Sequence, residues 1–155
     1  PVYLRFGRPK VPNFTDVNQK FEIGKALMLN EGVDVTIFAT GHLVWKAIEA
    51  GRILLEKGIN PEIINIHTIK PLDVEAVLNS VRKTKCCVSA EEHQAAGGLG
   101  ESIAGILAKH YPAPMEMVAV NDTFGESGTP EELMKKYGLD TPDIVKAVEK
   151  VIQRK

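Results

Sequence analysis

From residue 33 to residue 120, short β-branched runs alternate with segments of helical period, and that alternation restricts the chain to few folds. The run at 33–39 (VDVTIFA) reads as a strand. After a turn at Thr40-Gly41-His42, residues 43–57 carry Val44, Ala47, Ile48, Gly51, Leu54 and Leu55 at i, i+3, i+4 spacing, which predicts a helix. Gly58 stands where a helix C-terminus wants a residue of positive φ. The same alternation predicts strands at 61–66, 86–90 and 115–120. It predicts helices opened by Asp73, covering 99–110, and opened by the capping box Thr129-Pro130-Glu131-Glu132. A last helix starts at Thr141-Pro142-Asp143, with Ile144, Val145, Val148, Val151 and Ile152 on one face. Strands separated by helices imply βαβ units and a mostly parallel sheet with helices on both faces. The strand predicted at 26–29 is joined to the next by a short turn at Asn30-Glu31-Gly32. Such a turn cannot make a parallel crossover, so this strand is expected to run antiparallel.

In an open sheet of this kind, ligands bind where the parallel strands end. Residues 86–107 (CCVSAEEHQAAGGLGESIAGIL) put an unusual set of groups there: Glu91, Glu92 and His93, then Gly97, Gly98 and Gly100, then a helix. The glycines fit a dinucleotide fingerprint poorly, because the third glycine is missing and Glu101 would oppose a phosphate at the helix N-terminus. Three adjacent side chains on a loop do not converge on one substrate, so Glu91, Glu92 and His93 read as an interface loop rather than an acid/base cluster. The histidines at 42, 67, 93 and 110 lack ligand spacing, and no metal site is expected. Ser127 lies in G-E-S-G, not in a nucleophile elbow, and reads as a turn residue. Lys70 precedes a helix start and reads as a solvated lysine, with His67 and Thr68 at the preceding strand end. Arg5 and Arg8 have no neutralising acid nearby in sequence, and arginine is the bidentate partner of phosphate. Arg8 is therefore either a phosphate contact or an exposed arginine on a linker.

The chain has 155 residues and a net charge of −1, without blocks of like charge, which argues against nucleic-acid and membrane partners. Cys86 and Cys87 are adjacent in a strand and point to opposite faces, so they read as reduced core thiols, as suits a cytoplasmic protein. Residues 1–8 read as one terminal strand, and residues 9–20, with two prolines and no periodicity, as a linker. A start in mid-strand without an initiator Met suggests a piece of a longer polypeptide.

The stretches EEHQAAGGLGE (91–101), TIKPLD (68–73) and SGTPEEL (127–133) together resemble the C-terminal part of transketolase. FEIGKA (21–26), DVTIFATG (34–41), NIHTIKPLD (65–73) and AVN (119–121) follow in the family's order. The resemblance implies a three-layer α/β/α domain with a five-stranded mixed sheet and one antiparallel strand. It implies residues 1–20 as the end of a middle, pyrimidine-binding domain plus linker, and 21–155 as the C-terminal domain. It further implies an enzyme that moves a two-carbon ketol unit between sugar phosphates with thiamine diphosphate and a divalent metal. That cofactor is held by N-terminal and middle domains in the same chain or a separate subunit, within a homodimer or a split heterotetramer. The fragment itself is expected to bind no cofactor and to have no catalytic residue. Arg8 aligns with the family's phosphate-contacting arginine, although Gly7 stands where a serine is common. The 1-deoxyxylulose-5-phosphate synthases and 2-oxoacid dehydrogenase β subunits share this domain and are alternatives. A stand-alone ligand-binding or regulatory α/β domain is the alternative of another class.

Overall fold

The computed structural model describes residues 1–4, 7 and 10–155. The elements, in chain order, are β1 (Leu27–Asn30), β2 (Val35–Ala39), α1 (Leu43–Glu56), β3 (Pro61–Asn65), α2 (Val74–Thr84), β4 (Cys87–Gln94), α3 (Leu99–His110), β5 (Met115–Val120), α4 (Pro130–Lys136) and α5 (Thr141–Ile152). The five strands form one sheet in the order β1-β3-β2-β4-β5. The β1–β3 pair is antiparallel, and β2–β3, β2–β4 and β4–β5 are parallel. The mixed sheet with one antiparallel strand is thus present as the sequence implies.

Two separate cores fix the three layers. On one face, Val35, Ile37, Val88 and Ala90 of the sheet pack with Leu43, Val44, Ala47 and Leu54 of α1 and with Ile144, Val148 and Val151 of α5. On the other, Phe38, Ile64 and Cys87 pack with Val77 and Val81 of α2 and with Leu99, Ile103 and Leu107 of α3. Strand periodicity explains the division, since successive side chains point to opposite faces. Cys86 falls in the first core and Cys87 in the second, both as free thiols. Burial pushes the Cys87 thiol up to about 12.

The terminal strand expected in residues 1–8 is not found among the described residues. Residues 1–4 and 7 hold no strand, and Val2, Tyr3 and Leu4 are 78%, 88% and 69% exposed. A strand exists only with a ladder partner, and none of the described residues supplies one. Residues 10–20 run without helix or strand, and Phe14 packs against the α1 core. Two helix faces are narrower than their periodicity suggests: Leu55 is 51% and Val74 40% exposed. Among the described residues, no helix is long and apolar enough to cross a membrane.

Candidate functional site

The sheet's connections reverse direction between its central strands. From β2 the chain passes through α1 to β3 on one side, and from β4 it passes through α3 to β5 on the other. The crevice expected of an open α/β sheet therefore lies between the carboxyl ends of β2 and β4. Thr40, Gly41 and His42 border it on one side, and Glu91 to Gly98 on the other.

Glu91, Glu92 and His93 are not on a loop. β4 continues through them to Gln94, with an irregularity between Ala90 and Gln94 in its pairing with β5. Strand alternation then separates the two carboxylates. Glu91 follows Cys87 and Ser89 toward α3, and Glu92 follows Val88 and Ala90 toward α1. Glu91 is only 2% exposed. Its carboxylate accepts the Leu99 N–H at 2.7 Å and the Gly100 N–H at 2.8 Å, two donors left unpaired by helix geometry at the start of α3. Glu101 accepts the Gly97 N–H one turn further out. The Glu92 carboxylate lies 3.1 Å from His42 Nδ1, across the crevice at the head of α1.

The glycines serve this arrangement. A Cβ at position 98 would collide with the Glu91 carboxylate and come within 2.6 Å of the Gln94 carbonyl. A Cβ at position 100 would lie 2.7 Å from Ser89 Oγ and 2.8 Å from Met117 Sδ. The G-G-x-G pattern lets β4 and β5 approach the helix start closely, and the helix receives a carboxylate of the protein itself. Thiamine diphosphate does not fit here. A phosphate at the α3 N-terminus would have to displace Glu91 from a buried position and lie beside Glu92. Nor do the carboxylates make an acid/base pair, because both Glu91 oxygens are spent on backbone donors.

The remaining candidates are dispersed. His93 is exposed, with Nδ1 3.0 Å from the Gln94 carbonyl. His67 Nδ1 lies 2.9 Å from Thr68 Oγ1, its ring 4.5 Å from that of Phe21, and burial lowers its pKa. Lys70 and Ser127 are exposed. Arg5 and Arg8 lie outside the described residues. Among the described residues, no three metal-ligating side chains cluster.

Sequence reasoning passed over Gln94. Its side chain donates to the Thr123 carbonyl at 3.2 Å and accepts the Asp122 N–H at 3.1 Å, tying the end of β4 to the loop after β5. It also passed over Phe124 in that loop, which is 98% exposed. A lone aromatic within N-D-T-F-G-E-S-G was the available signal.

A central strand ending in a carboxylate that caps the next helix, followed by a glycine turn, is the local arrangement at the sheet's carboxyl edge. The family model "Transketolase, C-terminal domain" matches residues 24–144. The chain belongs to the transketolase family, as its C-terminal domain. This transketolase domain is 44% identical over 155 residues to the 6-deoxy-6-sulfo-D-fructose transketolase subunit of Clostridium sp. (strain MSTE9), covering all of this chain and 48% of that protein. It is 36% identical over 155 residues to an apulose-4-phosphate transketolase subunit of Phocaeicola vulgatus, covering 99% of this chain and 49% of that protein. A 1-deoxy-D-xylulose-5-phosphate synthase of Caldanaerobacter subterraneus is 38% identical over 151 residues, 96% of this chain and 24% of that one. Among solved structures, a split-gene transketolase described as an inactive beta4 tetramer superposes with a TM-score of 0.91 at 43% identity, over 94% of this chain and 48% of that one. The transketolase domain thus spans about half the length of the transketolase subunits it matches.

Proposed function

We propose that this domain completes a transketolase whose cofactor chemistry is performed elsewhere. N-terminal and middle domains, in the same polypeptide or a partner subunit, bind thiamine diphosphate and a divalent metal. They transfer a two-carbon ketol unit between sugar phosphates. The domain's own part is structural: it docks against those domains in a cytoplasmic homodimer or split heterotetramer of carbohydrate metabolism. The observation that carries this reading is the crevice between β2 and β4. Glu91 takes the N–H groups at the α3 N-terminus and Glu92 lies against His42, so the polar groups that such a fold offers a ligand there are engaged within the chain itself.

Residues 1–20 are assigned to the end of the middle domain and its linker, and Arg8 to a contact with a substrate phosphate. The names of the relatives support a transketolase divided between subunits, and their different sugars leave the substrate of this one to be assigned by assay. The test is a ketol-transfer assay on the complete natural protein with its N-terminal partner. Two-carbon transfer that requires both parts supports the reading. Condensation of pyruvate with an aldose phosphate, without ketol transfer, would assign the chain to the synthase branch instead.

A further inference from the structure

We propose that Phe124 is the anchor by which this domain seats in an apolar socket of the preceding, cofactor-binding part of the enzyme; the proposal rests on the reading above. Residues 121–129, between β5 and α4, are all exposed, and α4 buries none of its residues. A loop so poor in buried contacts is ordinarily held weakly. This one is fastened on both sides of Phe124. Gln94 grips Asp122 and Thr123 by their backbones, and the Tyr137 hydroxyl donates to the Phe124 carbonyl at 3.0 Å. Further along, Lys136 pairs with Glu126, and Thr129 and Glu132 close a capping box. The backbone is fixed in place while the ring it carries is 98% exposed. Seating a Phe ring in a socket removes a large apolar surface from water, and interfaces concentrate their energy in such pre-placed aromatics.

The direction of the partner follows from Gly7. A side chain at that position would collide with the imidazole of His42, at the head of α1. Gly7 therefore lies at the carboxyl edge of the sheet. It sits beside the His42–Glu92 pair, and Glu92 is two residues from Gln94 and the loop that Gln94 holds. The matching family model is a C-terminal domain, and the subunit relatives are about twice as long as this chain. What precedes this domain in those relatives accordingly lies on the edge from which Phe124 projects.

Thiol labelling in the complete enzyme tests the proposal. This domain's own thiols, Cys86 and Cys87, are both buried, and labelling is read at the introduced position by peptide mapping, so thiols elsewhere in the enzyme do not enter the comparison. The variant Phe124→Cys is compared with Ala108→Cys, which is exposed near the end of α3 at the opposite edge of the sheet. The expected result is maleimide labelling at least about tenfold slower at position 124 than at 108, with the difference abolished in denaturant. Equal rates in the native enzyme would overturn the proposal. Protection that disappears when copies are diluted apart, while each chain stays whole, would assign the socket to a second copy and overturn it as well. Ketol transfer by the wild-type protein, measured separately, keeps the two readings distinct. Protection without activity defeats the assigned chemistry, and activity without protection defeats the anchor.

Discussion

The buried carboxylate of Glu91 accepts the backbone N–H of Gly100 at 2.8 Å, joining the end of β4 to the start of α3. With the Leu99 bond it satisfies two orphan donors of the helix from outside the helix's own sequence. Removing it leaves both donors buried without an acceptor. Glu91→Ala is expected to lower unfolding stability by about 2–4 kcal/mol, and Glu91→Gln, which keeps one acceptor, by less. Chemical denaturation midpoints of the two variants check the order.

The glycines divide into constrained and free positions. Gly98→Ala forces a methyl group into the Glu91 carboxylate and the Gln94 carbonyl, so it is expected to destabilise by about 2 kcal/mol or more. Gly105, in the middle of α3, has nothing within 4 Å of an added Cβ. Gly105→Ala is expected to stabilise by about 0.5–1 kcal/mol through helix propensity. Thermal melts of the pair should move in opposite directions.

A second buried carboxylate sits under α2. Glu62 of β3 is fully buried, bonded to Ser80 and paired with Lys83, while Ser80 and Thr84 each bond Thr36 of the neighbouring strand, at 2.6 and 2.7 Å. Lys83 is 43% exposed, so the pair is only partly desolvated. Lys83→Met leaves the buried Glu62 carboxylate without its cation and should cost about 2 kcal/mol, of which Glu62→Gln in the same chain should recover part. A double-mutant cycle by denaturant unfolding measures the coupling.

Acid stability depends on the α1–α5 contact. Burial raises the Asp140 pKa, but the Lys46 ammonium at 2.8 Å and the Thr141 N–H outweigh it and hold the carboxyl below its ordinary value. A carboxylate whose pKa is lower folded than unfolded contributes stability above the unfolded value, near pH 4. That contribution is lost as pH falls toward the folded value. Asp140→Asn keeps the α5 cap, because Asn caps as well as Asp. It should therefore flatten the fall of stability below about pH 4, read as denaturation midpoints across pH.

The sheet, its antiparallel strand and most helix boundaries were legible in the sequence because period and capping are local. The α3 start at Leu99 and the Thr129–Glu132 box follow from residues within one turn of each other. What was hidden depended on partners distant in sequence. Glu91 looks like a loop residue because a charge at a strand end is usually solvated. Only the fold brings the N–H groups of residues 99 and 100 to it, extending β4 to Gln94. Glu62 is hidden in the same way by Ser80 and Lys83. The strand expected in residues 1–8 is absent from the described residues 1–4 and 7 for the converse reason: strand propensity is there, but a strand is made by its neighbours.

We propose above that Glu91 occupies the α3 N-terminus in place of a ligand and that thiamine diphosphate is held by other domains. Titration calorimetry of thiamine diphosphate with magnesium into the 155-residue chain tests it most directly. Heats of dilution only are expected. A saturable isotherm at micromolar affinity or tighter, with Glu91 still buried against α3, would contradict the proposal.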